Sequence, residues 1–268
     1  MELVVNGART YCYTGGKAFD AAKPAVVFVH GVLNDHSVWI LQTRHFAHHG
    51  FSVLAPDLPG HCRSDGEPPS TVQEAAAFVV ALLDAAGVKE AVIVGHSFGS
   101  LVAMEVAAHH PRLARKLVMV GTAYPMKVSP LLLNTSRDDP LKAIEIDNVF
   151  SHSTLAPPPS ALGPGTWLPG ASRALKRRVL ASNPRVNLFH RGFQACDAYT
   201  GGEEAIARVQ CPTLFILGER DSMTLPKMAR SLQERARNAR TVVVHGGHQM
   251  MTEAPDEVLA AMKDFLAP

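Results

Sequence analysis

Short apolar runs rich in β-branched residues alternate along this chain with longer segments in which apolar residues recur at helical spacing. Because such runs are typical of strands covered on both faces, the alternation predicts an α/β fold with a mostly parallel, eight-stranded sheet flanked by helices. The predicted strands are 3–5, 9–13, 25–29, 52–55, 91–94, 116–120, 212–217 and 241–245. The predicted helices are 37–48, 71–86, 98–110, 225–237 and 255–266.

The alternation stops after the sixth predicted strand. Residues 123–201 contain no clear strand pattern, and an excursion of this length is too long for a loop. The segment therefore predicts a helical cap inserted into a core made of residues 1–122 and 202–268. Its helical patterns lie near 140–150, 171–181 and 185–199. Its proline- and glycine-rich stretch, 156–170, is expected to act as a mobile gate.

Large apolar side chains in the predicted cap are candidates for a substrate pocket beneath it. Pockets for small molecules are lined mostly by such side chains, but burial inside the cap is the simpler explanation for each one. A further candidate, Met223, follows the seventh predicted strand. The cap candidates are Met126, Phe150, Trp167, Leu168 and Phe189.

Residues 91–100, AVIVGHSFGS, predict a buried strand that turns sharply into a helix. The turn fits Gly-x-Ser-x-Gly, in which Gly95 and Gly99 are required because a Cβ at either position would collide with neighbouring backbone. This geometry lifts Ser97 above the sheet at a helix N-terminus, where the positive end of the helix dipole favours developing negative charge. The alternative explanation of the same residues is a helix start with a capping serine.

An acid and a histidine follow this serine in the chain order of enzymes that use such a turn. Asp221 comes after the strand 212–217, where catalytic groups collect in open α/β sheets, and His248 lies on a glycine-containing loop after the last strand. Asp221 is also a plausible helix cap. Glu219 is the rival acid, although it lies closer to the strand end. His245 is the rival histidine, but it is assigned to the strand itself.

A third element lies upstream, where the strand 25–29 runs into His30-Gly31-Val32-Leu33. In enzymes with this serine turn, the N–H after the nucleophile and an N–H from the loop after the third strand stabilise the oxyanion. The corresponding donors here are the backbone N–H groups of Phe98 and Val32. Gly31 and His30 would shape the loop, with His30 as a buried, hydrogen-bonded histidine.

Five segments together resemble the α/β-hydrolase superfamily, and the resemblance covers nearly the whole chain. They are VVFVHG at 26–31, APDLPGHCRSD at 55–65, GHSFG at 95–99, PTLFILGERD at 212–221 and GGHQM at 246–250. The resemblance implies a catalytic triad of Ser97, Asp221 and His248. Cys62 stands where similar proteins usually have the second glycine of the fourth-strand loop, so the local turn is expected to differ.

Composition and charge exclude several other classes of protein. A net charge of +2 is too small to indicate a nucleic-acid partner, and no apolar stretch reaches membrane-spanning length. The first residues lack a signal-peptide pattern, and the four cysteines and 13 histidines show no metal-ligand spacing. We therefore expect a cytoplasmic protein with reduced thiols, no metal and no cofactor. Whether it is a monomer or a homodimer stays open.

These features predict a serine hydrolase that cleaves a carboxylic ester of a small or medium-sized, hydrophobic substrate. The same triad in capped relatives also opens lactones and cleaves carbon–carbon bonds of ring-fission products, so both reactions remain alternatives. A third alternative is a ligand-binding protein on a hydrolase scaffold. Labelling of Ser97 by a fluorophosphonate would separate the enzymes from the binding protein.

Overall fold

The computed structural model describes residues 1–153 and 167–267. Within these ranges, the strands are β1 (Glu2–Val5), β2 (Ala8–Tyr13), β3 (Ala25–Val29), β4 (Ser52–Pro56), β5 (Ala91–His96), β6 (Ala114–Val120), β7 (Thr213–Gly218) and β8 (Ala239–Val244). They form one sheet in the order β1-β2-β4-β3-β5-β6-β7-β8. Strands β3 to β8 run parallel, and β2 is antiparallel to both of its neighbours. The predicted eight-stranded, mostly parallel sheet is confirmed.

Helices cover both faces of this sheet. In the described part of the chain they are α1 (Ile40–His48), α2 (Val72–Ala85), α3 (Phe98–His109), α4 (Pro130–Asp138), α5 (Pro140–Ser151), α6 (Leu168–Ser182), α7 (Leu188–Ala198), α8 (Gly202–Arg208), α9 (Arg230–Arg235), α10 (Met250–Glu253) and α11 (Pro255–Leu266). Within the described ranges, no helix has both the length and the hydrophobicity that a membrane span requires.

Three helices were absent from the sequence prediction, namely α4, α8 and α10. They have 9, 7 and 4 residues, which is too short for a clear helical period. The predicted helix 225–237 was wrong in its extent, because a 3-10 helix, Pro226–Ala229, precedes a short α9. Short elements of this kind are stabilised by tertiary packing more than by their own sequence.

The central strands separate two hydrophobic cores. Because successive strand residues point to opposite faces, Val27 and Ile93 pack in the core that includes α2 and α3. Phe28 and Val94 pack in the core that includes α1 and α11. Every residue of β5 is buried, so the serine that follows this strand starts from a rigid support.

Helices α4 to α7 lie between β6 and β7 in the chain, as predicted for an insertion after the sixth strand. They share a core of their own, made of Leu33, Leu132, Ala143, Ile144, Val179, Leu188, Phe189 and Phe193. Leu33 belongs to the loop after β3, so this core is anchored on the sheet. Residues 156–166 of the expected gate lie outside the described residues, and 168–170 form the first turn of α6.

Candidate active site

Ser97 lies between the end of β5 and the start of α3 with a φ of +53°. This conformation costs a residue other than glycine on the order of 1–3 kcal/mol, and it persists only where the surroundings impose it. A Cβ on Gly95 would overlap the carbonyl oxygen of Gly99, and a Cβ on Gly99 would overlap that of Val29. Strand and helix therefore approach more closely than side chains at either glycine position would allow.

The backbone of Ser97 is held on both sides, while its side chain makes no capping hydrogen bond to α3. The Ser97 N–H donates to the carbonyl oxygen of Val120 (2.9 Å), and the Ser97 carbonyl accepts from the Ser100 N–H (2.8 Å). The Ser100 hydroxyl also donates to this carbonyl (2.6 Å) and lies 2.8 Å from the Thr122 hydroxyl. The Ser97 hydroxyl thus faces a cavity rather than capping the helix.

Asp221 and His248 contact each other beside this cavity. The Nδ1 of His248 lies 2.9 Å from Oδ2 of Asp221, and both side chains are almost fully buried. The other carboxylate oxygen accepts hydrogen bonds from the backbone N–H groups of Met223 (2.8 Å) and Thr224 (2.7 Å). Asp221 therefore shapes its own turn and holds the imidazole ring at the same time.

The pKa of Asp221 lies below its ordinary value. Burial alone would raise this pKa, but the charge of His248 and hydrogen bonds from His248 and Thr224 lower it by more. The carboxylate is therefore ionised at neutral pH and accepts the Nδ1–H of His248. Because Nδ1 donates to the carboxylate, Nε2 is the ring atom that can accept a proton from Ser97.

No hydrogen bond joins the Ser97 hydroxyl to the His248 ring in residues 1–153 and 167–267. Both side chains nevertheless line the same cavity. In enzymes without bound substrate, catalytic hydrogen bonds are often long and shorten only in the substrate complex.

The rival acid and histidine are brought together elsewhere. Nε2 of His245 lies 4.0 Å from a carboxylate oxygen of Glu219, and both side chains are more than half exposed. His245 also contacts Glu257 (3.1 Å). The strand assignment of His245 was wrong by one residue, because β8 ends at Val244. Neither rival lines the cavity at Ser97 in the described residues.

Two residues that the sequence reasoning missed hold the His248 loop. The Nε2–H of His96 donates to the His248 carbonyl (2.9 Å). Glu253 accepts the N–H of Gly247 (2.6 Å) with one oxygen, and the N–H and hydroxyl of Ser153 (2.8 Å each) with the other. The contact of His96 joins residues 152 positions apart, so no local pattern indicates it.

Two backbone N–H groups, those of Phe98 and Val32, lie next to the serine turn. Phe98 is the first residue of α3, so its N–H has no partner within the helix. In the described ranges, neither this N–H nor that of Val32 donates a hydrogen bond to a protein group. Both residues line one narrow cleft together with Gly31. Polar N–H groups in such a position are available to a ligand.

His30 and Gly31 hold the loop that carries Val32. His30 is fully buried; its Nδ1–H donates to the Gly31 carbonyl (2.9 Å), and its Nε2 accepts from the N–H of Leu58 (3.1 Å). A Cβ on Gly31 would lie 3.1 Å from Cβ of Ser97 and 3.0 Å from the His96 ring. Glycine thus permits the close approach of this loop to the serine turn.

The cavity at Ser97 and His248 has a volume of about 260 Å³. Three of the predicted pocket residues, Met126, Phe150 and Met223, line it. Lining residues that the sequence did not predict include Val128, Leu132, Phe193 and Cys196, which come from α4, α7 and the segment before α4. The wall is mostly apolar, with Lys127, Ser129, Ser222 and Thr224 as further polar members.

The other three pocket candidates do not line this cavity within the described residues. Phe189 is buried in the core of the helical insertion, one turn before Phe193 on the same helix. Leu168 is buried at the start of α6. Trp167 is half exposed, and its ring faces the Arg173 guanidinium, 5.2 Å from the ring centroid. Helical rotation and chain path, which composition does not reveal, decide these placements.

Asp35, His36 and Asp57 form a cluster whose ligand atoms lie within 4.8 Å of one another. Both oxygens of each carboxylate already accept hydrogen bonds from the protein. Asp57 accepts from His36 Nδ1 (2.7 Å), and Asp35 accepts from Arg178 (2.6 Å). Cys62, whose φ of +44° is usual for glycine, places its thiol 3.5 Å from Asp35. Hydrogen bonds within the protein therefore account for this cluster, which holds the loop in place.

Residues 24–255 match the α/β hydrolase fold family, and the chain belongs to it. The chain is similar to pimeloyl-[acyl-carrier protein] methyl ester esterase of Proteus mirabilis, with 29% identity over 88% of this chain and 89% of that protein. It is similar over a shorter region to lipase LipV of Mycobacterium tuberculosis, with 39% identity over 100 residues and 37% of each protein. The family match and the similarity to these relatives identify the chain as a hydrolase.

Solved structures with this fold include lactone-cleaving enzymes. The enol-lactonase from Burkholderia xenovorans LB400 superposes with a TM-score of 0.83 at 20% identity, over 99% of both chains. Est816, described as an N-acyl homoserine lactone degrading enzyme, superposes with a TM-score of 0.78 at 24% identity, over 99% of this chain and 100% of that one. At these identities the likeness shows the fold.

Proposed function

We propose that this chain is a serine hydrolase that cleaves the carboxylic ester of a small or medium-sized, hydrophobic substrate. The observation that carries the proposal is the buried 2.9 Å contact of His248 with Asp221, together with the cavity that His248 shares with Ser97. A nucleophile, a base and an acid that orients the base are the parts that such a reaction needs.

In the proposed reaction, Oγ of Ser97 attacks the ester carbonyl carbon while Nε2 of His248 takes the hydroxyl proton. Collapse of the tetrahedral intermediate breaks the carbon–oxygen bond, and His248 returns the proton to the leaving alcohol. Water, deprotonated by the same ring, then hydrolyses the acyl-enzyme. Asp221 keeps the ring in the required tautomer and stabilises its cation.

The oxyanion would accept hydrogen bonds from the backbone N–H groups of Val32 and Phe98, which have no protein partner in the described residues. Preorganised donors of this kind typically contribute about 3–4 kcal/mol each to the transition state. Residues 123–201 would serve as a cap on a core made of residues 1–122 and 202–268. Phe150 and Phe193 on that cap favour an apolar acyl or aryl group.

A series of p-nitrophenyl esters of increasing acyl length tests this proposal. We expect turnover to peak at one length, and Ser97→Ala to reduce kcat by roughly 10⁶ while the protein stays folded. Ser70→Ala is the matched control, because this exposed serine lies outside the cavity. Retention of a tenth of the activity by Ser97→Ala would overturn the assignment.

Lactone opening is the second candidate, because the same nucleophile and oxyanion donors serve an internal ester. It is supported by the two lactone-cleaving enzymes whose structures share this fold. Parallel assays with an enol-lactone, an N-acyl homoserine lactone and the open-chain esters separate the two. A kcat/KM at least about tenfold higher for one lactone would replace the ester proposal with this one.

A further inference from the structure

A second cavity lies at the N-terminal ends of the central strands, whereas Ser97 lies at their C-terminal ends. It adjoins the starts of β3, β5 and β6 and the ends of α1 and α11, and we call it the sheet-edge cavity. Because Ser97 follows the end of β5, the two cavities are separated by the full length of that six-residue strand, about 20 Å. The sheet-edge cavity has a volume of about 830 Å³, which is within the range of ligand sites.

Its wall is strongly positive, although the chain as a whole has 26 basic and 24 acidic residues. The charged residues of the wall are Lys23, Lys89, Arg115, Lys116, Lys263 and a single acid, Glu90. Glu90 is paired with Arg115 (3.3 Å). Within the described ranges Lys89 and Lys263 form no ion pair, and the Lys116 ammonium donates to two backbone carbonyls, of which Phe265 is the nearer (2.7 Å).

Two side chains of this wall, Lys116 and His45, have pKa values that nearby positive charges lower. Burial lowers the pKa of Lys116, and the charges of Arg115 and Arg240 lower it further. Burial also lowers the pKa of His45, and the charges of His49 and Lys263 add to that effect. The neighbouring positive charges thus add to the effect of burial at both side chains.

The inner surface of the cavity is apolar. Phe46, Val92 and Leu266 are buried there, and the Phe51 ring packs edge-on against Phe46, with centroids 5.4 Å apart. An apolar floor below a rim of ammonium groups is complementary to an organic anion whose apolar part is desolvated and whose charged head stays at the rim.

We propose that the sheet-edge cavity binds a phosphorylated organic molecule, with the phosphate at Lys89 and Lys263 and the apolar part on Phe46 and Leu266. A phosphate carries close to two negative charges and has oxygens for several ammonium donors, whereas a carboxylate carries only one charge. The site would act as a second, non-catalytic binding site on the hydrolase.

Isothermal titration of the full chain with decyl phosphate, kept below its micelle concentration, tests the proposal. Lys89→Glu and Lys263→Glu should each weaken binding by about tenfold or more, since each removes a charge-assisted contact. Lys142→Glu is the matched control, because this exposed lysine lies on α5 and lines neither cavity. Ser97→Ala should bind decyl phosphate as the parent chain does, which separates this site from the catalytic one.

Three results would overturn the proposal. Equal weakening by Lys142→Glu would mean that only net charge matters, and equal affinity for inorganic phosphate would mean that the apolar floor contributes nothing. The third result concerns phosphatidylcholine vesicles that contain phosphatidic acid. If the chain binds these vesicles but not dispersed decyl phosphate, and Lys89→Glu or Lys263→Glu weakens that binding, the surface recognises a lipid headgroup instead. Thermal unfolding of each variant verifies that it is folded.

Discussion

Replacement of Asp221 by asparagine removes one negative charge and two hydrogen bonds that the carboxylate accepts, while the shape of the side chain is preserved. The Asn carbonyl oxygen still accepts the N–H groups of Met223 and Thr224, which bond to Oδ1 at 2.8 and 2.7 Å. The turn should therefore persist. The amide nitrogen then faces His248 Nδ1 in place of the oxygen now 2.9 Å away. Because an amide NH₂ donates, Nδ1 must become the acceptor and the ring proton moves to Nε2.

A ring protonated at Nε2 cannot take the proton of Ser97. We expect kcat to fall by about 10⁴, which corresponds to about 5.5 kcal/mol of transition-state stabilisation. The assay is hydrolysis of the best p-nitrophenyl ester at saturation, with urea unfolding in parallel to show that Asp221→Asn is folded. Glu219→Gln is the control, because this exposed carboxylate lies outside the cavity in the described residues, and it should change kcat by less than about twofold.

Retention of more than a tenth of the parent activity by a folded Asp221→Asn would contradict the assignment of Asp221 as the catalytic acid. A larger loss for Glu219→Gln than for Asp221→Asn would identify Glu219 as the catalytic acid.

Further predictions concern the cavity, acid stability and the His248 loop. Phe150→Ala should shift the preferred acyl chain toward longer esters, because this half-exposed ring lines the cavity, whereas Val149→Ala on the same helix should not; identical chain-length profiles would contradict this. Burial raises the pKa of Asp35, but hydrogen bonds from Ser37 and Arg178 bring it down to about 2. The ionised carboxylate therefore contributes about 2 kcal/mol to the free energy of unfolding above its ordinary pKa, and this contribution is lost as pH falls toward 2. Urea unfolding from pH 6 to pH 2 should therefore show a flatter pH dependence for Asp35→Asn than for the parent chain, and equal slopes would argue against this. The amide of Glu253→Gln has one acceptor oxygen, so it can hold the Gly247 segment or the Ser153 segment but not both. We therefore expect kcat to fall about tenfold, with KM changed by less than twofold. A rise in KM alone would speak against a role in holding the His248 loop.

The local geometry of the serine turn was predictable because its determinants are adjacent in sequence. Glycines two residues before and after Ser97 allow a turn that a Cβ would block, and the buried strand before them has an unmistakable composition. The sheet was predictable for a similar reason, since its central apolar runs have the length of strands, are rich in β-branched residues and are flanked by glycine or proline. The triad itself stays a prediction, with a geometry that the proposed assays test.

The cavity wall was less predictable because helical rotation decides it. Phe189 and Phe193 are four residues apart on α7, yet only Phe193 reaches the cavity in the described residues. Trp167, a pocket candidate by size, is half exposed beside Arg173. Size and hydrophobicity do not distinguish a pocket wall from a helix interior, because both are apolar.

Short-range sterics and periodicity make the strand and helix alternation and the strained serine turn readable from the sequence, and the chain order of Ser97, Asp221 and His248 is given by it directly. Only the tertiary structure decided that Glu253 and His96 hold the histidine loop, and that lysines distant in sequence gather at the sheet edge. Such contacts join residues far apart in the chain. Their distances depend on how strands, helices and loops pack, which no local pattern encodes.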